Sequence, residues 1–243
     1  MKDNTVLIID TNSNYGDAWE PCFGRLQKHF PNIKKYVFTD STDYEFPEGF
    51  HPITYDNTES YRNQFLSCIE QVPEEFIFYS SEDYILYDDV QIERAEELVG
   101  FLERDPLLDF IKLIRGPENL KGLYTPLCPE LFVIDPADSN FFAQQASIWR
   151  TRSFESIFKA APPENTRMQH EPGGSAICRS LAIQGLQHYN GERKRGLSHY
   201  DSSIYPYIAT AIVKGQWNVS EYAPELEKVF EEFNINPSKR GRR

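Results

Sequence analysis

The sequence lacks the features that mark several large protein classes. No apolar run approaches the roughly 18 to 20 residues that span a bilayer, and the N-terminus MKDNTVLIID has neither a basic region nor a cleavage site. The patterns GxxxxGK[ST], GxGxxG after a strand, HExxH and GxSxG are also missing. The sequence therefore gives no motif support for a P-loop NTPase, a dinucleotide oxidoreductase, a zinc protease or a serine hydrolase. Because it also lacks a membrane span and a signal peptide, we expect a cytoplasmic protein.

Cysteine is scarce and widely spaced. The four cysteines, Cys22, Cys68, Cys128 and Cys178, form no CxxC pair and are too few for a disulfide scaffold. The spacing predicts reduced thiols in the core.

Positive charge is also in short supply. The 25 basic and 37 acidic residues give a net charge of −12, which disfavours binding along the phosphate backbone of a nucleic acid. A small anionic substrate would need a local cation, and a bound metal ion could provide it.

What is present predicts a folded α/β protein. Of its 243 residues 40% are hydrophobic and 14% aromatic, and no internal repeat or Gly/Ser linker divides them, so we expect one domain. The predicted strands of the first half are 5–10, 34–39, 51–56, 74–80 and 109–115. Amphipathic helices are predicted after the first, third and fourth strands, the first with Asp17 as its N-cap. This β-α-β-β-α-β-α-β order indicates a doubly wound, mostly parallel sheet.

The pattern is looser after residue 115. Residues 130–135 and 140–149 are predicted to form a strand pair, and a short helix capped by Thr151 or Ser153 follows. Further predictions are a helix over 174–186, a strand over 204–215 and a terminal helix with Pro224 in its first turn. The basic residues 237–243 are predicted to form a flexible tail.

Acidic residues follow a buried strand in FIFYSSEDY. Glu82 and Asp83 could belong to a solvated loop, where acids favour the start of the next helix. In a doubly wound sheet, however, ligands bind outside the carboxyl ends of the strands. Two adjacent carboxylates there could hold Mg²⁺ or Mn²⁺ together with substrate phosphates.

FIFYSSEDY resembles the strand and acidic motif of glycosyltransferases of the GT-A fold, whose Asp-X-Asp binds the metal of a nucleotide-sugar donor. Ser81 departs from that pattern at its first position, whereas Asp83 retains the acid that contacts the metal. TVLIIDTNSNYGDAW is similar to the family's first strand and donor-binding loop, and TYDNTESYR to the stretch before its second helix. AQQASIWRTRSFESIF, HEPGGSA and HYDSSIYPYIATAIVKGQWN resemble later segments of small viral and bacterial members.

The resemblance implies a set of donor contacts. They are Thr11, Asn12 and Ser13 in the first loop, Arg62 for a phosphate or sugar, and Ser81 and Glu82 beside the metal-binding Asp83. Tyr55 could stack on the base, as could Tyr15 or Tyr84, because spacing does not choose between them. A solvated helical position is the alternative for Arg62.

Three further residues have two interpretations each. Glu171 could be the catalytic base, or a capping acid at a helix start. His199 could be a metal ligand or diphosphate contact oriented by Asp201, or a loop histidine; His170 is a weaker choice. Trp149 could line the acceptor side by stacking on a sugar, or pack in the core.

These expectations define a metal-dependent, inverting glycosyltransferase. It would move a sugar from a nucleoside-diphosphate donor to a glycan or other hydroxyl acceptor, with 1–115 as the donor half and 116–236 as the acceptor half of one domain. If the protein is viral, it would act in the host cytoplasm. A nucleotidyltransferase of related fold, or a non-catalytic nucleotide- or carbohydrate-binding module, remains the alternative. The sequence carries no signal for an oligomeric state.

Overall fold

The computed structural model describes residues 1–114, 116–118, 120–164, 166–196 and 199–242, with the backbone alone for 167–172. Over these residues the chain forms thirteen strands, six α-helices and a 3₁₀ helix at Ser13–Tyr15. The strands are β1 (Thr5–Asp10), β2 (Lys35–Thr39), β3 (Phe50–Thr54), β4 (Phe76–Ser81), β5 (Tyr84–Leu86), β6 (Phe110–Lys112), β7 (Leu120–Thr125), β8 (Cys128–Ile134), β9 (Ser147–Arg150), β10 (Gly185–His188), β11 (Tyr207–Ala209), β12 (Ile212–Val213) and β13 (Gln216–Trp217). The helices are α1 (Gly16–His29), α2 (Tyr61–Ile69), α3 (Ile92–Arg104), α4 (Thr151–Ala160), α5 (Arg167–Ser180) and α6 (Val219–Glu232).

The described strands form one nine-stranded sheet and two small pairs. The order of the large sheet is β3-β2-β1-β4-β9-β6-β10-β8-β7, and the pairs are β11-β5 and β12-β13. Strands β8 and β9 run against the other strands of the large sheet. The predicted mixed, mostly parallel α/β fold is confirmed.

Helices cover both faces of the sheet. Every residue of β1 and β4 is buried, as expected for parallel strands that are packed on both sides. Phe78 of β4 contacts Phe30, which follows α1, whereas the next residue, Tyr79, contacts Phe154 of α4. The core therefore lies in two layers, and all four cysteines are free and buried in it, as predicted.

None of the helices in the described ranges has the length and apolarity needed to cross a membrane.

The predicted pairing of 130–135 with 140–149 is wrong. Strand β8 pairs with β7 and β10, whereas only 147–150 of the second segment forms a strand, β9, which lies between β4 and β6. Residues 140–146 form no strand although Phe141 and Phe142 are fully buried. An apolar run indicates burial, and here the buried segment is a loop.

The predicted boundaries of several later elements are also corrected. Helix α5 begins at Arg167 rather than at 174, and 185–188 is the strand β10. A Cβ at Gly174 would lie 2.2 Å from the Phe142 ring, so this glycine allows close packing inside a helix instead of marking a helix start. The predicted strand 204–215 is interrupted at Thr210, whose φ is 92°.

Helix caps differ from those predicted. The N-cap positions of α1 and α4 are Tyr15 and Arg150, not Asp17 and Thr151 or Ser153. Helix α6 begins at Val219 and is kinked at Tyr222, so that Pro224 lies in the first turn after the kink.

The C-terminal residues predicted as a flexible tail make defined contacts. Trp217 donates a backbone hydrogen bond to Gly241 (3.0 Å), Arg240 forms an ion pair with Asp17, and Arg242 forms one with Glu227 at 2.5 Å. The basic side chains find acidic partners on α1 and α6, which explains why the segment folds back.

Candidate functional site

The strand order reverses at the carboxyl end of β1. Strand β2 lies on one side of β1 and β4 on the other, both parallel to it, and Asp10 is paired in register with Ser81. Ligands of doubly wound sheets bind at such a reversal. The loops that follow β1, β2, β3 and β4 therefore form the candidate site.

A polar network connects the first three of these loops. Ser13 donates two hydrogen bonds to Asp40, from its backbone N–H (2.6 Å) and its hydroxyl (2.7 Å), and Asn57 also donates to Asp40. Asn12 donates to Asn57 (3.1 Å) and to the Tyr55 hydroxyl (3.3 Å). The structure thus brings together the predicted residues Asn12, Ser13 and Tyr55.

We expect the hydrogen bonds to Asp40 to make the free energy of unfolding depend on pH in the acid range. Burial opposes ionisation of Asp40, but the hydrogen bonds from Ser13 and Asn57 outweigh it and hold the pKa below its ordinary value. The stabilisation is therefore complete above the unfolded-state pKa of about 4 and is lost as the pH falls through the folded-state pKa. Asp40→Asn should lower the free energy of unfolding at pH 7 and weaken its decline below about pH 5.

Urea denaturation over a pH series measures this effect. Asp43→Asn is the matched control, because Asp43 is an exposed acid in the same loop. Parallel pH profiles for the Asp40→Asn variant and the wild type would contradict the assignment.

Two other predicted donor residues have structural partners. The hydroxyl of Thr11, which is buried, accepts a hydrogen bond from the Trp19 indole (2.7 Å). The guanidinium of Arg62 donates to the carbonyl oxygens of Phe158 and Lys159 at the end of α4, both at 3.0 Å. These contacts tie the half-buried Arg62 to the end of α4, and its role as a donor contact stays a prediction.

A buried carboxylate lies at the end of β1. Asp10 is 4% exposed, and its Oδ2 accepts hydrogen bonds from the hydroxyls of Tyr61 (2.8 Å) and Tyr79 (3.4 Å). Gln144 donates to both of these hydroxyls. The network fixes the carboxylate at the reversal point.

The acidic motif occupies the turn after β4. Glu82 is only 3% exposed and accepts a hydrogen bond from the Ser81 hydroxyl (2.8 Å), which also lies 3.1 Å from the Asp10 carbonyl. Asp83 is half-buried, and its carbonyl accepts from the backbone N–H of Ala211 (3.0 Å). The solvated-loop interpretation therefore does not describe Glu82.

The two acids affect the electrostatics of the neighbouring helix. Burial, and after it the charges of Glu82 and Asp83, raise the pKa of the Cys22 thiol of α1 well above its usual range. Cys22 stays protonated beside the acidic turn and is no candidate nucleophile.

A cleft of about 460 Å³ opens between the first loop and α2. Its lining includes the carboxylates of Asp10, Glu59 and Glu164 and the rings of Tyr15, Tyr55 and Tyr61. The described residues that line it include no lysine or arginine. Such a cleft suits a ligand with hydroxyl or N–H donors and a stacking face better than it suits a phosphate.

The carboxylates at the carboxyl edge of the sheet are compatible with one mode of binding a hard divalent cation. The described residues contain no group of three His, Cys, Asp or Glu side chains that could hold a metal ion. Mg²⁺ is commonly held by one or two carboxylates together with substrate phosphates, and Asp83, two residues past the end of β4, is the carboxylate that such a mode would use.

The structure describes the contacts of the predicted residue His199 but not those of the Glu171 side chain. The ring of His199 lies 3.4 Å from the Glu221 carboxylate, and Asp201, predicted to orient it, instead binds Arg193 and Arg195. Glu171 falls within α5, not before it, and its side chain, like that of His170, lies outside the described residues.

Trp149 packs in the core and not on an open crevice. It is 1% exposed and stacks on Phe110 with ring centroids 4.1 Å apart, while its indole donates to the Ser147 hydroxyl (2.9 Å). The acceptor-stacking interpretation is corrected, because β9 places this ring in the middle of the sheet.

Sequence reasoning missed Asp10, Asp40 and Asn57. A sequence signal exists for the two acids, because Asp10 ends a buried strand and Asp40 directly follows one. Asp83, which lies two residues after β4, has a similar position. Asn57 carries no such signal, because its role depends on the proximity of the loops after β2 and β3.

This sheet order, with its polar reversal point, defines a GT-A-like α/β fold. No protein-family model and no curated protein sequence matches the chain. Solved structures do share the fold.

Three of these structures show how far the likeness extends. Staphylococcus aureus TarS matches with a TM-score of 0.56 and 12% identity over 99% of this chain and 41% of TarS. TarS 1–349 in complex with UDP matches with a TM-score of 0.51 and 10% identity over 97% and 68%. CMP:2-keto-3-deoxy-manno-octonic acid synthetase complexed with CTP matches with a TM-score of 0.50 and 12% identity over 95% and 98%.

At these identities the likeness shows the fold alone. The chain spans less than half of the longer TarS chain that it matches.

Proposed function

We propose that this chain is a glycosyltransferase that takes a sugar from a nucleoside-diphosphate donor at the carboxyl edge of β1–β4. The observation that carries the proposal is the pairing of Asp10 with Ser81, which brings the acidic turn of β4 beside the polar loop of β1. The likeness in fold to TarS, which is solved in complex with UDP, supports a nucleotide ligand. The resemblance of FIFYSSEDY to the acidic motif of the family supports a sugar donor.

The nucleoside would occupy the cleft beside α2. Tyr15 and Tyr55 offer ring faces for the base, and Asn12 and the carboxylates of the lining offer acceptors for base N–H and ribose hydroxyl groups. Ser13 and Asp40 hold the first loop in place.

The acidic turn would meet the other end of the donor. A Mn²⁺ or Mg²⁺ ion, if bound there, would neutralise charge on the departing diphosphate. Asp83 is the residue that would hold it, and Glu82, fixed by Ser81, would keep the turn in shape.

The reaction needs one further group. In an inverting transfer the acceptor oxygen forms a bond to the anomeric carbon, the bond to the diphosphate oxygen breaks with its electron pair, and a base takes the acceptor proton. Glu171 is proposed as that base on the family resemblance alone, and the acceptor is a glycan or another hydroxyl compound.

Nucleotidyl transfer is the second candidate. The observation that favours it is the likeness to the synthetase complexed with CTP, which extends over 98% of that chain. The loop of residues 11–17, TNSNYGD, contains no basic residue, whereas a triphosphate calls for local positive charge. A non-catalytic binding module is the third candidate.

Calorimetry with UDP, CDP, GDP and ADP and with the corresponding triphosphates, with and without Mn²⁺, tests the proposal. We expect one nucleoside diphosphate to bind more tightly when Mn²⁺ is present, because the metal ion would bind both the Asp83 carboxylate and the diphosphate. Slow hydrolysis of the matching sugar donor would distinguish an enzyme from a binding module. Tight binding of a triphosphate only, or no nucleotide binding at all, would contradict the proposal.

A further inference from the structure

A second cleft, of about 540 Å³, lies on the other side of the first loop. Ser13, Asn14 and Asp17 line it from the first loop and the start of α1, and Gly215, Lys239 and Arg240 line it from C-terminal segments. Asn14 lines both clefts. The two clefts are therefore adjacent, and they differ in charge.

The C-terminal segment 236–242 is held at this cleft by Arg240. Its guanidinium donates to the Asp17 carboxylate (3.0 Å) and the Gly215 carbonyl (3.3 Å) and lies over the rings of Tyr15 and Trp217. Arg240 is thus an anchor, and its charge is balanced by Asp17.

Two other cations of this region are not balanced. Lys239 and Lys214 are exposed, and neither ammonium group forms a hydrogen bond or ion pair with a described residue. By contrast, Arg195 is bound to Asp201 and Glu225. Lys239 lines the cleft, and Lys214 directly precedes Gly215, which also lines it. In a chain of net charge −12, uncompensated lysines at this place form a local site for an anion.

The backbone also presents Lys214 in an uncommon way. Lys214 and Gly215 join β12 to β13 with φ of 51° and 78°. Asparagine, aspartate or glycine is the usual choice at the first position of such a hairpin turn, and a lysine there carries backbone strain. Strain of this kind is concentrated at functional sites.

The same hairpin connects the basic cleft to the acidic turn. Ala211, which precedes β12, donates its N–H to the Asp83 carbonyl, and its own carbonyl accepts from Asn218, which follows β13. A donor whose nucleoside lies in the first cleft would extend past Asn14, which lines both clefts, towards Lys239.

We propose that Lys239 and Lys214 form the subsite for the diphosphate of the donor. The inference rests on the proposed function and adds the cation that the first loop lacks. The ammonium groups bind the diphosphate oxygens through charge-assisted hydrogen bonds. The C-terminal segment then completes the donor site.

Affinities for UDP, uridine and inorganic pyrophosphate test the inference in the full chain. The nucleoside diphosphate is replaced by whichever member of the panel binds. Lys239→Ala should weaken diphosphate and pyrophosphate binding about tenfold, the loss of one charge-assisted contact, and leave nucleoside binding unchanged. Lys214→Ala should act in the same direction, and the double variant more strongly.

Lys228→Ala is the matched control, because Lys228 is an exposed lysine on α6 with the same charge. Equal losses in this variant would reduce the effect to net charge and overturn the inference. Unchanged pyrophosphate affinity in the double variant, or no pyrophosphate binding by the wild type, would also overturn it. If pyrophosphate binds through the lysines but no nucleotide binds, the proposed function fails and the anion site stands.

Discussion

Asp83→Asn is expected to abolish the gain in diphosphate affinity that Mn²⁺ provides. The substitution preserves shape and removes the charge with which the turn after β4 would hold a cation. A charge-assisted contact contributes about 1.5 to 3 kcal/mol, so the metal-dependent affinity should fall roughly 10- to 100-fold. Binding without metal should change little, and turnover of the sugar donor should fall with the metal effect.

Calorimetry at fixed Mn²⁺ concentration measures the loss, with thermal unfolding to confirm that the variant is folded. Asp88→Asn is the matched control, because Asp88 is an exposed acid a few residues further along the chain. Metal-stimulated binding that survives in the Asp83 variant would rule out Asp83 as the metal ligand.

Trp149→Ala is expected to cost about 3 to 5 kcal/mol of unfolding free energy, the range for large-to-small aromatic substitutions in a core. The ring is 1% exposed and packs against Phe110, Phe142 and Phe154 from three directions. Its removal leaves a cavity between the sheet and α4 that these neighbours cannot fill. Trp149→Phe should cost much less, because it keeps an aromatic ring in the cavity.

Denaturant unfolding measures both variants, and Leu107→Ala is the control. Leu107 is 74% exposed, so its truncation should change the free energy of unfolding by no more than about 0.5 kcal/mol. A stable Trp149→Ala variant with altered acceptor use would restore the stacking interpretation.

The elements predicted well from the sequence are those whose burial is continuous. In β1, β2 and β4 every residue is buried. Each of these strands contains a short run of consecutive apolar residues, which predicts a strand packed on both faces. The sequence does not predict strand β7, because all six of its residues are exposed or half-buried. Strand β5 was missed because three residues pair only with β11, far away in the chain.

The site was predictable to the extent that a strand end marks it. Asn12 and Ser13 follow β1, and the resemblance of this strand and loop to the family's donor-binding loop predicts them as donor contacts. The partnership of Ser13 with Asp40 requires the order β2-β1-β4, which strand patterns do not determine. Lys239 was assigned to a flexible tail because the ion pair that anchors its neighbour, Arg240 with Asp17, joins the two ends of the chain.

The position of β9 has a consequence for how the chain is synthesised. Strand β4 pairs with β1 along one edge and with β9 along the other, and β9 follows β4 by more than sixty residues in the sequence. A nascent chain that has emerged only as far as β6 therefore lacks the native partner of one edge of β4, a strand that is fully buried in the finished fold, and such an unpaired edge invites association with other chains. This edge is paired only once β9 has been synthesised, so residues 1–115 alone leave one edge of β4 without the partner strand it has in the complete sheet.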